Sequence, residues 1–253
     1  MERRFVPDSE QRLVILYALH LLGPVTSMQL LQFLVEEDLM NYFDMQLNLC
    51  ELEEQGQLAE TTHPLGTLLS VNEKGMFTLD SFGNRIPASR RELIDDHARQ
   101  WRRRFRMEQQ TLADSFPRED GCLCVRLRLL EGNAPLLDML ITLPGVDHIP
   151  CLTARWHAAA PAVYAALTES LSAGYLEIDL PEDLPQGASL KQVGEDSWLL
   201  SLAGQAGDIS ATTLMTLPDE TMARHYAYCW PTAAPALLQL IRTQLETQTN
   251  PTA

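Results

Sequence analysis

The sequence predicts an α+β protein in two parts. Three helices and a β-hairpin come first, and a duplicated ββα domain with an antiparallel sheet follows. Two observations carry this. Over the first hundred residues, helically spaced apolar positions are punctuated by cap and turn residues. In the C-terminal half, "MLITLPGVDHIPCLTARWHAAAPAVYAALTESL" from Met139 returns as "TLMTLPDETMARHYAYCWPTAAPALLQLIRTQL" from Thr213.

Leu13, Leu16, Tyr17 and Leu21 recur at helical spacing, and Gly23-Pro24 ends that helix. Thr26 or Ser27 then caps a second helix, with Gln29 reaching back in a capping box. Leu30, Leu31, Phe33 and Leu34 form its apolar side. After a break at Asp38 to Met40, Asn41 caps a third helix, and Gly56 can take its left-handed terminal position. "QLAETT" and "TLLSV" read as short strands around the turn His63-Pro64-Leu65-Gly66. Asn72-Glu73-Lys74-Gly75 starts another helix. Three helices followed by a hairpin is the order of a winged helix-turn-helix, expected over residues 1–86.

A long amphipathic connecting helix is expected over 87–112. Ile94, Ala98, Trp101, Phe105 and Leu112 make one apolar stripe. Arg99, Arg102, Arg103 and Arg106 fall on another face. The stripe suits dimerisation or docking of the two domains. The arginines suit a phosphate backbone, the acidic third helix of another copy, or ion pairs that cover the acidic C-terminal domain.

Residues 113–253 form the duplicated domain, with repeat units at about 119–172 and 195–247. At an offset of 74, Leu140/Leu214, Thr142/Thr216, Leu143/Leu217, Pro144/Pro218 and Trp156/Trp230 are identical. So are Ala159/Ala233, Ala160/Ala234, Pro161/Pro235, Ala162/Ala236 and Leu171/Leu245. Strands are expected at 122–130 and 135–143, and again at 197–203 and 209–217, each pair leading into a helix. Cys122, Val125, Leu127 and Leu129 alternate with Arg126 and Arg128, as in a half-buried strand. The acidic linker "EIDLPEDLPQG" joins the units, and a pseudo-two-fold axis should relate them. Trp156 and Trp230 are then either equivalent core anchors or the walls of a ligand pocket at that axis.

Several segments resemble, in order, a bacterial winged-helix family of unknown function whose members are presumed to be transcriptional regulators. They are "EEDLMNYFDMQLNLCELEEQGQLAE", "LLSVNEKGMFTLDSF", "NRIPASRRELIDDH", "DGCLCVRLRLLEGNAPLLDMLITLP" and "CLTARWHAAAPAVYAAL". The resemblance covers roughly residues 9–172. It implies a fold and a regulatory role, and it brings no catalytic residues.

The charges pull against DNA. The net charge is −15, which repels nucleic acid over most of a surface. The third helix holds Asp44, Glu51, Glu53 and Glu54 and no base. With Tyr42, Phe43, Met45, Leu47, Leu49, Cys50 and Leu52 turned inward, Asp44, Asn48, Glu51 and Gln55 remain as its outward stripe. In a DNA reader that stripe lies in the major groove. The residues expected in the groove are Asn41, Asp44, Asn48 and Glu51. Arg90, Arg91, Arg102, Arg103 and Arg104 are expected near phosphate.

Two functions therefore stand from the sequence. One is a transcriptional regulator that binds double-stranded DNA, whose duplicated domain dimerises, senses or binds a partner. The other is a non-enzymatic protein-interaction module with a degenerate winged helix. Self-association is expected in either case. No phosphate loop, dinucleotide fingerprint or nucleophile elbow occurs, and no Cys-x-x-Cys pair, so no enzyme activity, cofactor or metal is expected. Five unpatterned cysteines, no signal peptide and no long apolar run point to a cytoplasmic protein off the membrane.

Overall fold

The computed structural model describes residues 8–172, 181 and 183–246. The chain divides into two compact units, residues 1–107 and 108–253. The first begins with α1 (Asp8–Leu22), a two-residue strand β1 (Val25–Thr26), α2 (Ser27–Glu36) and α3 (Tyr42–Glu54). The hairpin β2 (Leu58–His63) and β3 (Gly66–Val71) follows, then α4 (Glu73–Phe82), a single 3-10 turn at Gly83–Arg85, and α5 (Ala88–Gln110). β3 is the centre of a three-stranded antiparallel sheet, between β1 and β2. This is the element order expected of a winged helix-turn-helix.

Local chemistry sets each helix end. Thr26 caps α2: its hydroxyl accepts from the Gln29 N–H at 3.1 Å, and the Thr26 N–H donates to Gln29 Oε1 at 3.1 Å. Asn41 caps α3 by accepting from the Asp44 N–H at 3.0 Å. Gly56, at φ +61°, closes α3, and the Gln57 N–H returns to the Leu52 carbonyl at 3.0 Å. Gly75 in α4 serves close approach instead. A Cβ there would sit 2.4 Å from the Gln57 carbonyl oxygen and 2.6 Å from Val71 Cγ1.

The core of this unit gathers α1 (Val14, Ile15, Leu16, Leu19), α2 (Leu30, Phe33, Leu34), α3 (Met45, Leu49, Leu52) and α5. The α5 stripe Ile94, Ala98, Trp101 and Phe105 is buried in this cluster, with Trp101 edge-on to Phe33 at 5.9 Å. Spent there, it is not an open dimerisation seam. Leu112, expected on the same stripe, lies in the next strand instead.

The second unit is a six-stranded antiparallel sheet. It is built from β4 (Thr111–Pro117), β5 (Cys122–Glu131), β6 (Ala134–Pro144), β7 (Ala188–Gly194), β8 (Ser197–Ala206) and β9 (Ile209–Leu217). The strand order is β4-β5-β6-β9-β8-β7. The helices α6 (Leu152–Ser172) and α7 (Glu220–Glu246) join the inward strand residues in one core. The expected ββα unit is thus the inner part of a βββα unit, and each copy adds one outer strand. Those strands were not foreseen because they are mostly exposed edges, "TLADSFP" and "ASLKQVG", with little apolar alternation to read. On β5 the core residues are Leu123, Val125 and Leu127. Cys122 is half-buried, and a register shift between Leu129 and Leu130 breaks the expected alternation. The first part of the acidic linker lies outside the described residues.

The register places the symmetry axis. β6 and β9 pair with Met139 opposite Thr213, and these two are 74 residues apart, the repeat offset. The pseudo-two-fold therefore passes between equivalent residues at the middle of the sheet. The tryptophans confirm the equivalence. Trp156 Nε1 donates to the Arg128 carbonyl at 3.0 Å, and Trp230 Nε1 donates to the Ala203 carbonyl at 2.8 Å. Each helix lays its indole over the middle strand of its own copy. Beside Trp230 the strand carries Gly204, where a Cβ would meet the ring at 3.0 Å. At the same level of the first copy, β5 has its register shift.

Candidate interaction surfaces

α3 is set about 100° round from its expected orientation, one residue of helix rotation. Asn48, expected in the groove, is buried at 1% exposure. Its Nδ2 donates to Gln11 Oε1 at 2.7 Å and to the Asp44 carbonyl at 2.8 Å, so it ties α3 to α1. Glu51, also expected in the groove, is held in an ion pair by Arg12 of α1. Asp44 is half-buried and accepts from Asn41 Nδ2 at 2.7 Å. Asn41 is exposed, but its side chain is engaged in that cap. The expected stripe therefore faces α1 and the start of its own helix.

What faces outward is apolar. Phe43 is 80% exposed, Leu47 59% and Tyr42 50%, and Cys50 is exposed as well. Phe43, Leu47, Cys50 and Glu54 follow one another at +4, +3 and +4, a straight stripe on one helix face. Glu53 and Glu54, exposed beside its end, enter no ion pair among the described residues. Tyr42 and Phe43 meet edge to face at 5.4 Å. Periodicity could not find this face, because α3 carries apolar residues around most of its circumference. A rule that sends every apolar residue inward then picks the wrong side. The wing carries no Lys or Arg, and His63 is buried, its Nδ1 accepting from the Leu65 N–H at 3.1 Å.

The arginines divide. Arg90 is ion-paired to Glu10 at 3.4 Å, and Arg91 is half-buried. Both sit against the unit and not in a free phosphate-facing row. Arg104 is exposed and lies over the Trp101 ring at 4.9 Å. Arg102 and Arg103 are exposed, as are Arg99 and Arg106, and these four enter no ion pair among the described residues. On the opposite side of α5, the carboxylate of Glu37, at the end of α2, accepts from Trp101 Nε1 at 2.6 Å and bonds His97. This contact sets the rotation of α5 and leaves the arginine row outward.

In the second unit, Trp156 and Trp230 are buried at 0% and 2% exposure. The open hollow lies elsewhere, on the sheet face away from the helices. It measures about 670 Å³ and is lined by Arg118, Leu140, Thr142, Gln205, Ser210 and Thr212 among others. The tryptophans do not line it. Leu140 stands opposite Thr212 and Thr142 opposite Ser210, so the hollow crosses the seam between the two copies, to one side of the pseudo-axis. Next to it, Arg126 grips the buried Asp138 through two bonds of 2.9 and 2.6 Å. That carboxylate, with its hydrogen bond, raises the Arg126 pKa further. Arg118 is ion-paired to Asp120 at 3.0 Å.

Cys229 Sγ lies 3.4 Å from His225 Nε2. Burial pushes the Cys229 thiol pKa up, the opposite of an activated nucleophile. Among the described residues no cluster of three or more His, Cys, Asp or Glu is arranged to hold a metal ion. Among them, too, no helix is long and apolar enough to cross a membrane.

A family model described as a domain of unknown function (DUF4364) matches residues 11–171, and the chain belongs to that family. The match begins within α1 and ends in α6, taking in most of the first unit and the first βββα copy. The second copy lies beyond it. No curated protein matches the chain, and no solved structure matches it.

Proposed function

We propose that this protein is a non-enzymatic regulatory protein of the winged-helix type that works through protein contact made by α3. The observation that carries this reading is the outward face of that helix. A helix that enters the major groove presents hydrogen-bonding side chains to base edges and relies on cations for phosphate. This one presents Tyr42, Phe43, Leu47 and Cys50, followed by two carboxylates. Exposed contiguous apolar side chains mark interaction sites on soluble proteins, and aromatic residues are enriched at interface centres.

A second reading has its own observation. The row Arg99, Arg102, Arg103 and Arg106 is exposed and without ion-pair partners among the described residues, and could lie along a phosphate backbone. In that reading the protein is a transcriptional regulator bound to double-stranded DNA through α5, and the duplicated unit dimerises, senses or binds a partner.

Fluorescence anisotropy with random duplex DNA, titrated with salt, separates the two. The protein-contact reading expects no binding at 50 mM salt. A photo-crosslinker in place of Phe43 should then form protein adducts in cells. Binding that falls steeply as salt rises, and is lost in Arg102→Glu/Arg103→Glu, would replace it with the DNA reading.

A further inference from the structure

We infer that the surface covering the α3 stripe is the arginine row of α5 on a second copy of this chain. The inference rests on the protein-contact reading and names the partner.

The two faces fit chemically. The α3 stripe runs from aromatic rings, Tyr42 and Phe43, through Leu47 and Cys50 to the carboxylates of Glu53 and Glu54. Arginine suits both ends of such a surface. Its guanidinium plane stacks on aromatic faces, its stem covers apolar surface, and its fork binds carboxylate. The lengths agree as well. Arg99 to Arg106 spans about 10 Å of helix and Phe43 to Glu54 about 16 Å, at 1.5 Å per residue. The row can therefore seat within the stripe.

A second copy also accounts for more than its competitors do. DNA would use the arginines and leave the apolar stripe bare. A foreign basic helix would cover the stripe and leave the arginines unpaired. Two copies exchanging α3 and α5 about a two-fold axis satisfy both faces at once, as an isologous interface requires. The chain as a whole has 34 acidic and 19 basic residues. Two copies therefore repel each other except where such a complementary patch is presented.

The test is sedimentation of the full-length protein over a range of concentrations and salt. Four forms are compared: the wild type, Glu53→Arg/Glu54→Arg, Arg99→Glu/Arg103→Glu, and all four substitutions together. Circular dichroism checks that each is folded. The wild type should dimerise, less tightly at high salt. Each reversal should weaken the dimer by about ten-fold or more, in the range of interface hot spots. The combined swap should recover most of the loss. Leu47→Asp should weaken the dimer at every salt concentration. A wild type that stays monomeric throughout overturns the inference. So does weakening by the α3 reversal alone, or a combined swap that recovers nothing. The protein-contact reading survives those outcomes if the position-43 crosslink finds a different protein. It falls separately, by the DNA titration.

Discussion

If Trp156 and Trp230 are paired anchors of a duplicated core, Trp156→Phe and Trp230→Phe should each destabilise the second unit by a similar amount. Phenylalanine keeps most of the apolar contact but removes the indole N–H. The Arg128 carbonyl, or the Ala203 carbonyl, then loses a donor 3.0 or 2.8 Å away. An orphaned buried polar group costs about 1–3 kcal/mol, and a strand carbonyl that keeps its second lone pair sits at the lower end. The missing ring atoms add about 1 kcal/mol of lost burial and cavity. Each substitution should therefore cost about 2–3 kcal/mol, a large share of a marginal total. Urea unfolding followed by far-ultraviolet circular dichroism measures it, with the second-unit transition fitted by itself. A loss below about 1 kcal/mol at one site, with the other near 3, would refute the equivalence of the copies. Losses below about 1 kcal/mol at both would refute their role as core anchors.

Three further outcomes follow from the first unit. Gly75→Ala should destabilise it by about 1–3 kcal/mol, the range for overpacking. The new methyl would meet the Gln57 carbonyl at 2.4 Å, and thermal melting should show the shift. Asn48→Asp should cost at least about 2 kcal/mol near neutral pH, because it puts a carboxylate in a buried site beside the Asp44 carbonyl. Burial raises the pKa of such a group, so the deficit should shrink as pH falls. Urea midpoints at pH 7.5 and pH 5 test this, and an unchanged deficit, or none, would place residue 48 in solvent. Tyr17 gives an alkaline prediction. Burial first, then its 2.6 Å bond to the Asp95 carboxylate, pushes the phenol up to about 12. A raised pKa contributes stability that is complete below the ordinary value of 10 and is lost as pH rises toward about 12. Tyr17→Phe should remove that part of the alkaline loss, and ultraviolet titration should lose one late-ionising phenol.

Much of the architecture was legible in the chain, because it is written locally. The Thr26/Gln29 box, the Asn41 cap, the Gly56 stop and the His63–Gly66 turn each depend on residues within a few positions. The repeat was legible because identity at a fixed offset needs no structure to be seen. Its axis then followed from a single register, Met139 opposite Thr213. What stayed hidden was whatever depends on a distant partner. The outer strands β4 and β7 pair on one side only, so no apolar alternation betrays them.

The clearest division falls on α3 and α5. By itself the sequence determined that both are helices, where they begin, that α3 is acidic and that α5 carries the arginines. Only the tertiary structure decided which way α3 faces. On α5 a single apolar stripe fits the core, so the outward arginine row could be read in advance. On α3 apolar side chains surround the axis. Its rotation is set by the reach of Gln11 to Asn48 and of Arg12 to Glu51, contacts spanning 37 and 39 residues of chain. Those distant partners turned the polar stripe inward and left Phe43 and Leu47 in solvent, because a helix that is apolar all round takes its orientation from what its polar groups can bond.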